Sequence, residues 1–545
     1  MQVVSIRTAC AARVGFAVLF MLVVCSTHAA PAALLPKIVK QDGHYALMVD
    51  GAPFLMLSAQ VNNSSNWPAM LPKVWPAVAQ LHANTVEVPI AWQQIEPREG
   101  EFDFSFLDTL LVQARQQHVR LVLLWFGTWK NNGPAYAPDW VKLDNKRFPR
   151  VINAKGVMRN SLSPNFPATL AADRKAFAAF MQHLQAVDAE RTVIMVQVEN
   201  ETGTYGAVRD YSPAAQKQFE GPVPHEIVEA LGKRPGTWSQ VFGNDADESF
   251  HAYSLAHFVE QVAAAGKAAY AIPMYVNAAL RDPFREQDPY DYASGGPTWN
   301  VLDIWKAAAP SIDIIAPDIY LHDYHGYTRT LDLYGTAKNA LFVPETSNGR
   351  EAARFFFEVL GRGGIGFAPF GMDFTGYVNF PLGARELDEE TIGAFARNYE
   401  LVEPMMREIA ALSYAGKVWG AAEPTETHVQ HIVLGAVSRA HWQAEVSYGH
   451  EMFGDGDPKG NSTPCGGVLL AELGPDEYLV TGYNARVRFE RTQQTGKPFM
   501  LARVEEGHYE RGKWIFERLW NGDQTDWGLN FTGLPQVLRV RLAEY

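Results

Sequence analysis

Residues 192–201 read TVIMVQVENE, an apolar run that ends in a carboxylate. Its Val, Ile and Met content is typical of a parallel β-strand covered on both faces. Seven similar runs lie between about residue 45 and residue 400. They are FLMLSAQ (54–60), NTVEVPIAW (84–92), RLVLLWFGT (120–128), IPMYVNAAL (272–280), DIIAPDIYL (313–321), ALFVPETS (340–347) and GIGFAPFGMD (364–373).

Helical patterns separate these eight runs. Residues 104–118 and 173–187 both place apolar side chains at three- and four-residue spacing, as an amphipathic helix requires. Eight such runs alternating with helices predict an α/β fold, a TIM (β/α)8 barrel, over residues 37–405. An open doubly wound sheet is the alternative, but no glycine-rich phosphate loop follows the first run.

The pattern changes after about residue 415, where short alternating strands and tight turns replace the helical segments. The turns include Gly-Pro-Asp-Glu at 474–477 and Asn-Gly-Asp at 521–523. These features predict an all-β sandwich domain over residues 415–545, and the role of that domain is left open. A length of 545 residues also favours one large and one smaller domain.

Composition restricts the partners. Lys and Arg number 47 and Asp and Glu 60, which gives a formal net charge of −13. Because no long basic run interrupts this acidic balance, we expect neither nucleic acid nor an anionic membrane as a partner. A neutral substrate fits better, and a homodimer is left open.

The N-terminus has the pattern of a secretory signal. Arg7 and Arg13 precede a short apolar stretch at 14–25, and small residues follow it, so we expect residues 1–29 to be removed. The product would be periplasmic or extracellular. Cys465 is the one cysteine outside this leader, which excludes an internal disulfide from the mature chain.

Polar or aromatic residues stand at the end of every predicted barrel strand. The carboxyl ends of barrel strands meet at one face, where barrel enzymes build their sites. The long connections 129–170 and 202–250 follow the third and fourth strands and should form walls of a cleft. The strand-end residues are Gln60, Trp92, Thr128, Glu201, Asn277, Tyr320, Glu345 and Asp373.

Glu201 and Glu345 end the fourth and seventh strands. Hydrolysis of a glycosidic bond with retention needs two carboxyl groups about 5–5.5 Å apart, one as proton donor and one as nucleophile. A partly desolvated Glu201 would keep its proton near neutral pH, and Tyr320 is placed to support an ionised Glu345 by a hydrogen bond.

The VQVENE and FVPE motifs resemble those of glycoside hydrolase families 35 and 42, the barrel β-galactosidases. The resemblance covers the predicted barrel and, through the Thr202-Gly203 turn, is nearest to family 35. It implies that Glu201 is the acid/base, that Glu345 is the nucleophile and that Asn200 binds the sugar 2-hydroxyl. The implied activity is that of a retaining exo-β-galactosidase without cofactor or metal.

Two motifs depart from family 35. Phe126-Gly127-Thr128-Trp129 stands where many members carry Cys-Ala-Glu-Trp, whose carboxylate grips galactose, and residues 88–92 lack the usual Tyr. The departures suggest a divergent bacterial branch, similar to enzymes that trim galactose from xyloglucan oligosaccharides. The alternatives are a β-glucosidase or endo-glucanase of the same clan, and a catalytically inactive glycan-binding protein.

Several further side chains are expected to hold or surround the sugar. Aromatic rings can stack on the C–H faces of a sugar, and loop aromatics such as Trp129 and Tyr136 are candidates. Glu199 has two readings, as a residue that orients Glu201 or as an ion-pair partner of Arg209. His322, Asp318 and Asp323 are interpreted as loop hydrogen-bonding groups rather than metal ligands. The predicted substrate-binding set is Asn200, Tyr320, Gln60, Trp92, Trp125, Thr128, Tyr205 and Asn277.

Overall fold

The computed structural model describes residues 34–435, 441–449, 457–492 and 497–545. The predicted signal at 1–29 lies outside these ranges. Eight parallel strands close into a barrel. They are β1 (Met56–Gln60), β2 (Thr85–Ala91), β3 (Arg120–Lys130), β4 (Val193–Asn200), β5 (Met274–Ala279), β6 (Ile314–Ile319), β7 (Val343–Thr346) and β8 (Gly366–Pro369).

The barrel confirms the predicted fold class. Each strand pairs in parallel with the next one along the chain, and β8 pairs with β1 to complete the ring. Seven of the eight strands fall within the apolar runs recognised in the sequence, and β3 continues two residues beyond its run, to Lys130. Glu345 on β7 pairs in register with Asp318 on β6, so tertiary structure brings two carboxylates to neighbouring strands.

Helices surround the barrel and bury one apolar face each. In α3, for example, Phe177, Phe180 and Leu184 recur at helical spacing and are fully buried. The main helices are α1 (Leu71–Gln80), α2 (Ser105–Gln116), α3 (Pro167–Val187), α4 (Ala246–Ala269), α5 (Leu302–Ala308), α6 (Tyr324–Tyr334), α7 (Phe355–Gly361), α8 (Glu389–Val402) and α9 (Met406–Tyr414). Among the described residues, no helix is both long and apolar enough to span a bilayer.

A three-stranded antiparallel sheet precedes the barrel and was not foreseen from the sequence. Its strands are Lys37–Gln41, His44–Val49 and Ala52–Phe54. Leu47, Val49 and Phe54 share a core with barrel residues such as Val122 and Phe342. The sheet therefore packs against the interior of the barrel through its apolar side chains, which leaves the carboxyl ends of the strands for the site.

The C-terminal part is a two-sheet domain. A six-stranded sheet contains β9 (Val418–Ala422), β12 (Gly467–Gly474), β13 (Glu477–Tyr483), β15 (Phe499–Glu510), β16 (Lys513–Leu519) and β18 (Val537–Glu544). A four-stranded sheet contains β10 (Val429–Leu434), β11 (Trp442–Ser447), β14 (Ala485–Arg491) and β17 (Leu529–Phe531).

The two sheets share a core, as expected of a sandwich. Trp442 and Val487 of the smaller sheet pack with Val480 and Val540 of the larger one. Trp520 is also buried in this core. Alternate residues of the larger sheet, such as Leu469 and Leu479, belong instead to the main barrel core. The larger sheet is therefore covered on both faces and is joined firmly to the barrel.

Candidate active site

Three carboxylates converge at the carboxyl ends of the barrel strands. Oxygen atoms of Glu201, Asp318 and Glu345 all lie within 4.8 Å of one another. These cleft acids come from β6, from β7 and from the residue that directly follows β4. The barrel thus brings together the two glutamates that are 144 positions apart in the sequence and adds a third acid between them.

Glu345 is held at both oxygens. The Tyr320 hydroxyl donates to Oε1 at 2.6 Å, and the Gln60 amide donates to Oε2 at 3.1 Å. Glu345 is 5% exposed, so both bonds form out of bulk water. Donors directed at both oxygens fix the direction in which the carboxylate points.

Glu201 is fixed through its backbone. Its N–H donates to Asn277 Oδ1 at 2.9 Å, and its carbonyl accepts from Asn132 Nδ2 at 2.5 Å. The residue has φ of +44°, and Glu199 just before it has φ of +62°. A left-handed conformation of a residue other than glycine costs on the order of 1–3 kcal/mol, and such strain is concentrated at functional sites.

Burial raises the pKa of Glu201 to about 7. The positive charge of Lys130 lowers the pKa, the negative charge of Glu345 raises it, and a hydrogen bond with Asp318 lowers it by a smaller amount. A carboxyl group with a pKa near the working pH can give and take a proton in the same catalytic cycle.

Asp318 is a site residue whose position the sequence did not reveal. The sequence interpretation made it a loop hydrogen-bonding group, but it is buried on β6 beside the two glutamates. Asn277 Nδ2 donates to its Oδ2 at 2.6 Å. Burial, followed by the charges of Glu345 and Glu201, raises the pKa of Asp318 well above its ordinary value. Asn277 therefore links the backbone of Glu201 to the third carboxyl group.

Lys130 is the second residue that the sequence analysis missed. It ends β3, pairs in register with Asn200 on β4 and is 7% exposed. Its ammonium group lies 5.2 Å from the centre of the Phe126 ring and donates to Asn131. Its charge lowers the pKa of both Glu201 and Asp318. A lysine at the end of an apolar run was visible in the sequence, but the direction of its side chain was not.

Asn200 and Tyr205 are placed to receive a ligand. Asn200 is fully buried, and neither of its side-chain amide atoms has a hydrogen-bond partner. Such an unsatisfied buried amide is costly unless something binds it. Tyr205 is 47% exposed, and the charge of Glu201 contributes, after burial, to a raised pKa of its hydroxyl.

A second pair of acids, Glu199 and Asp173, lies behind the cleft. Its contacts differ from both sequence interpretations of Glu199, as a residue that orients Glu201 and as the ion-pair partner of Arg209. Glu199 Oε2 accepts from the Trp129 N–H at 2.8 Å, and its carboxyl group lies beside that of Asp173. Both residues are fully buried, and burial followed by the charge of Asp173 raises the pKa of Glu199 well above its ordinary value. Arg209 instead pairs with Asp247 at 2.6 Å.

Asp173 gathers donors from the end of β3. Trp125 Nε1 and the Thr128 N–H each donate to it at 2.9 Å, and the Thr128 hydroxyl donates as well. A Cβ at Gly127 would lie 2.7 Å from Glu199 Oε1 and 2.8 Å from Asp173 Oδ2. Glycine at 127 is therefore required by the close packing of this inner acid pair, Glu199 and Asp173.

These contacts show that three predicted sugar-binding residues lie in the core. Trp125 and Thr128 are fully buried against Asp173, and Trp125 also stacks on Phe180. Trp92 is fully buried and donates from Nε1 to Glu96 at 3.0 Å. The sugar-binding prediction is wrong for these three, because their side chains point away from the strand ends towards the surrounding helices and loops.

The remaining loop aromatics divide in the same way. Trp129 is fully buried and donates to the Leu162 carbonyl at 3.1 Å. Tyr136 is partly exposed, lies edge-on to Phe126 at 5.1 Å and hydrogen-bonds to Ser64. Of these two aromatic residues, only Tyr136 lies near the inward-facing side of β3.

Among the described residues, two clusters place carboxylate oxygens or a histidine nitrogen close enough together to bind one cation. One is the set of cleft acids, and the other is His431, Glu445 and Glu490 on the C-terminal domain. Asp323 does not take part, because it accepts from the Gly326 N–H at 2.6 Å as the cap of α6. His322 faces Glu351 at 3.8 Å.

Comparison with known protein families agrees with this architecture. Residues 65–244, which include β2 to β4 and Glu201, match the β-galactosidase model of glycoside hydrolase family 42. Residues 395–532 match a domain of unknown function, DUF5597. Over residues 65–244, the barrel is therefore similar in sequence to the β-galactosidases of glycoside hydrolase family 42.

Individual relatives match over shorter stretches. A β-galactosidase of Xanthomonas manihotis is 30% identical over 164 residues, which are 29% of this chain and 25% of that protein. β-Galactosidase BgaA of a Thermus species is 27% identical over 165 residues, 28% of this chain and 24% of that protein. The matches thus span about a quarter of each relative's length.

The β-galactosidase structure from Bacillus circulans sp. alkalophilus resembles the fold. It superimposes with a TM-score of 0.51 at 11% identity, over 89% of this chain and 99% of that one. At this identity the likeness concerns the fold alone.

Proposed function

We propose that the protein is a retaining exo-β-galactosidase that releases terminal β-galactose from plant-type oligosaccharides. The observation that carries the retaining mechanism is the separation of the glutamates, whose nearest oxygens lie within 4.8 Å. Retaining glycosidases place the two carboxyl groups about 5–5.5 Å apart, whereas inverting enzymes leave about 6.5–9.5 Å for a water molecule.

The two glutamates would act in sequence. Glu345 attacks the anomeric carbon while the bond to the leaving oxygen breaks, and Glu201 gives its proton to that oxygen. The product of this half-reaction is a covalent galactosyl ester of Glu345 and a free aglycone. Glu201 then removes a proton from water, the water oxygen attacks the anomeric carbon, and the ester bond to Glu345 breaks.

The surrounding residues suit these roles. Tyr320 and Gln60 orient the Glu345 carboxylate, and a Glu201 pKa of about 7 allows both proton transfers near neutral pH. The unpartnered amide of Asn200 lies beside Glu201 in the chain and is available to the sugar 2-hydroxyl. Hydrogen bonds to that hydroxyl strengthen in the transition state.

Galactose as the released sugar is supported by the family 42 match and by relatives named β-galactosidases. The family 35 likeness of VQVENE and the xyloglucan side chain as substrate belong to the same proposal. A panel of aryl glycosides and plant oligosaccharides tests both. Preference for aryl β-glucosides, or cleavage inside a glucan backbone, would replace galactosidase by one of the alternative β-glycosidases.

Azide rescue tests the nucleophile. Glu345→Ala should lose nearly all turnover of an aryl β-galactoside, by about 10⁴-fold or more, because the galactosyl ester cannot form. Added azide should restore turnover and give the α-galactosyl azide, the inverted product. Glu229→Ala, which alters a glutamate that is 76% exposed, is the matched control. Wild-type activity of Glu345→Ala would overturn the assignment.

Export to the periplasm or the medium is also part of the proposal, with no membrane attachment after cleavage of residues 1–29 and an oligosaccharide as the principal partner. Cell fractionation with N-terminal sequencing of the mature protein tests the cleavage site. Light scattering of the same protein tests the homodimer.

A further inference from the structure

The segment that follows β8 exposes an unusual number of apolar side chains. Phe374 is 39% exposed, Tyr377 60% and Phe380 47%. The neighbouring Val378 and Leu382 are 45% and 46% exposed. Contiguous apolar surface of this kind marks a binding site more often than scattered single residues do. We refer to these five residues as the apolar rim.

Hydrogen bonds hold both ends of the rim. At its start, Asp373 accepts from the Asn62 N–H at 2.8 Å and from the Ser65 hydroxyl at 2.7 Å. At its end, the Ala384 N–H donates to Asn348 Oδ1 at 2.8 Å. Asp373 is 2% exposed and Asn348 6%, so these anchors are buried.

The same anchors lie next to the proposed nucleophile. Asn348 follows Glu345 by three residues, and Asn62 follows Gln60, which donates to Glu345, by two. The Met372 N–H donates to the Gln60 carbonyl at 3.0 Å. The rim therefore begins and ends at the edge of the Glu345 pocket, on the β7, β8 and β1 side of the barrel mouth.

The chemistry of the rim fits a neutral carbohydrate. Residues 374–384 contain no charged side chain and combine three aromatic rings with Thr375 and Asn379. The guanidinium group of Arg385 lies 3.7 Å from the centre of the Phe380 ring, and Phe380 is still 47% exposed. Aromatic faces stack on the C–H groups of sugars, and the nearby hydroxyl and amide groups can bond sugar hydroxyls. Trp67, which is 50% exposed, lies two residues after Ser65, whose hydroxyl donates to Asp373 at the start of the rim.

The position of the catalytic pair indicates which part of a substrate the rim can reach. Glu345 and Asn200, which would hold the released galactose, are buried, whereas the rim is exposed. The oligosaccharide attached to that galactose must extend from the buried pocket towards solvent. The rim follows directly on residues that border Glu345, so it is available to that oligosaccharide on one side of the barrel mouth.

We propose that the apolar rim is the binding site for the leaving-group oligosaccharide, a neutral glycan of several sugars attached to the terminal galactose. This inference rests on the proposed function. It assigns the aromatic platform to the β7, β8 and β1 side of the mouth rather than to the neighbouring β2–β3 sector, whose tryptophans are buried.

The test compares a long and a short leaving group. The double variant Tyr377→Ala/Phe380→Ala should lower kcat/KM for a galactosylated xyloglucan oligosaccharide about tenfold more than kcat/KM for 4-nitrophenyl β-galactoside. Most of the difference should lie in KM, because stacking on the rim stabilises the bound substrate and the transition state equally, and the double variant loses this stacking in both. Phe516→Ala, which alters a phenylalanine 49% exposed on the C-terminal domain, is the matched control and should leave the ratio unchanged.

An unchanged ratio in the double variant would overturn the proposal. Wild-type kcat/KM on both substrates would mean that the rim takes no part, and an equal loss on both would mean that it only supports the site around Glu345. A change of oligomeric state in the double variant, seen by light scattering, would instead assign the rim to contact between two copies. If the unaltered enzyme cleaves no galactoside, the proposed function fails. Calorimetric titration with the oligosaccharide then tests the rim separately. The dissociation constant of the oligosaccharide should still be about tenfold higher for the double variant than for the unaltered protein.

Discussion

The cleft acids and the inner acid pair contain the same functional group in opposite settings. Glu199 and Glu201 are two residues apart, and both have left-handed backbone. Glu199 is fully buried against Asp173 and the Trp129 N–H, whereas Glu201 is partly exposed beside Asp318 and Glu345. One strand end thus supplies a structural carboxyl group, Glu199, and the proposed acid/base, Glu201.

The difference lies in how hydrogen bonds are satisfied. Three donors from the end of β3 converge on Asp173 and the Trp129 N–H donates to Glu199, so both residues of the inner pair are bonded within the protein, and only Glu199 Oε1 lacks a partner. At the cleft, Asn200 and one oxygen of Asp318 are buried without partners. A buried polar group without a partner is costly, so unsatisfied groups beside a cleft indicate where a ligand binds. Burial of a carboxyl group alone does not distinguish a ligand-binding site from a structural acid pair.

The largest expected effect contrasts Glu345, the proposed nucleophile, with Glu199 of the inner acid pair. Glu345→Gln should reduce kcat about 10⁴-fold or more, because an amide is a poor nucleophile. Glu199→Gln should reduce kcat less than about tenfold, since a raised pKa already favours the neutral form and glutamine can still accept from the Trp129 N–H. Steady-state kinetics on an aryl β-galactoside measures both. Equal losses in the two variants would contradict the division into reactive and structural acids.

The inner pair should matter for stability instead. In Asp173→Asn a single amide oxygen faces the donors of Trp125 and Thr128, and its amino group opposes them. We expect the free energy of unfolding to fall by about 3 kcal/mol, as for other broken buried networks. Urea denaturation measures this change, with the exposed Asp139→Asn as control. A stability loss below that of the control would show that the network is dispensable.

The smallest expected effect is a shift in the pH dependence of kcat/KM. Glu201 must be protonated to act as the acid, so activity should fall as the pH rises through its pKa of about 7. Lys130 lowers that pKa, so Lys130→Met should raise it and move the alkaline limb of kcat/KM to higher pH. Lys142→Met, a lysine paired with Asp139, is the control. A limb that stays in place or moves down would show that Lys130 does not act on Glu201 through its charge.

The sequence determined the barrel and the two strands that carry its glutamates. Fully covered parallel strands must be apolar along their whole length, so the eight runs stood out and their polar ends identified one face. For Gln60, Asn277 and Tyr320 this was enough to place them around Glu201 and Glu345. A pattern read along one strand therefore predicts which end of it faces the site.

Tertiary structure alone decided the direction of each side chain at those ends. Trp92, Trp125 and Thr128 had the right positions along the chain but turn into the core, whereas Asp318 and Lys130 turn into the cleft. Irregular pairing between β3 and β4, with shifts between Trp125 and Lys130, removes the strict alternation on which a sequence pattern depends. The exposed aromatics after β8 were likewise unremarkable in the sequence, because exposure depends on what the rest of the chain leaves uncovered.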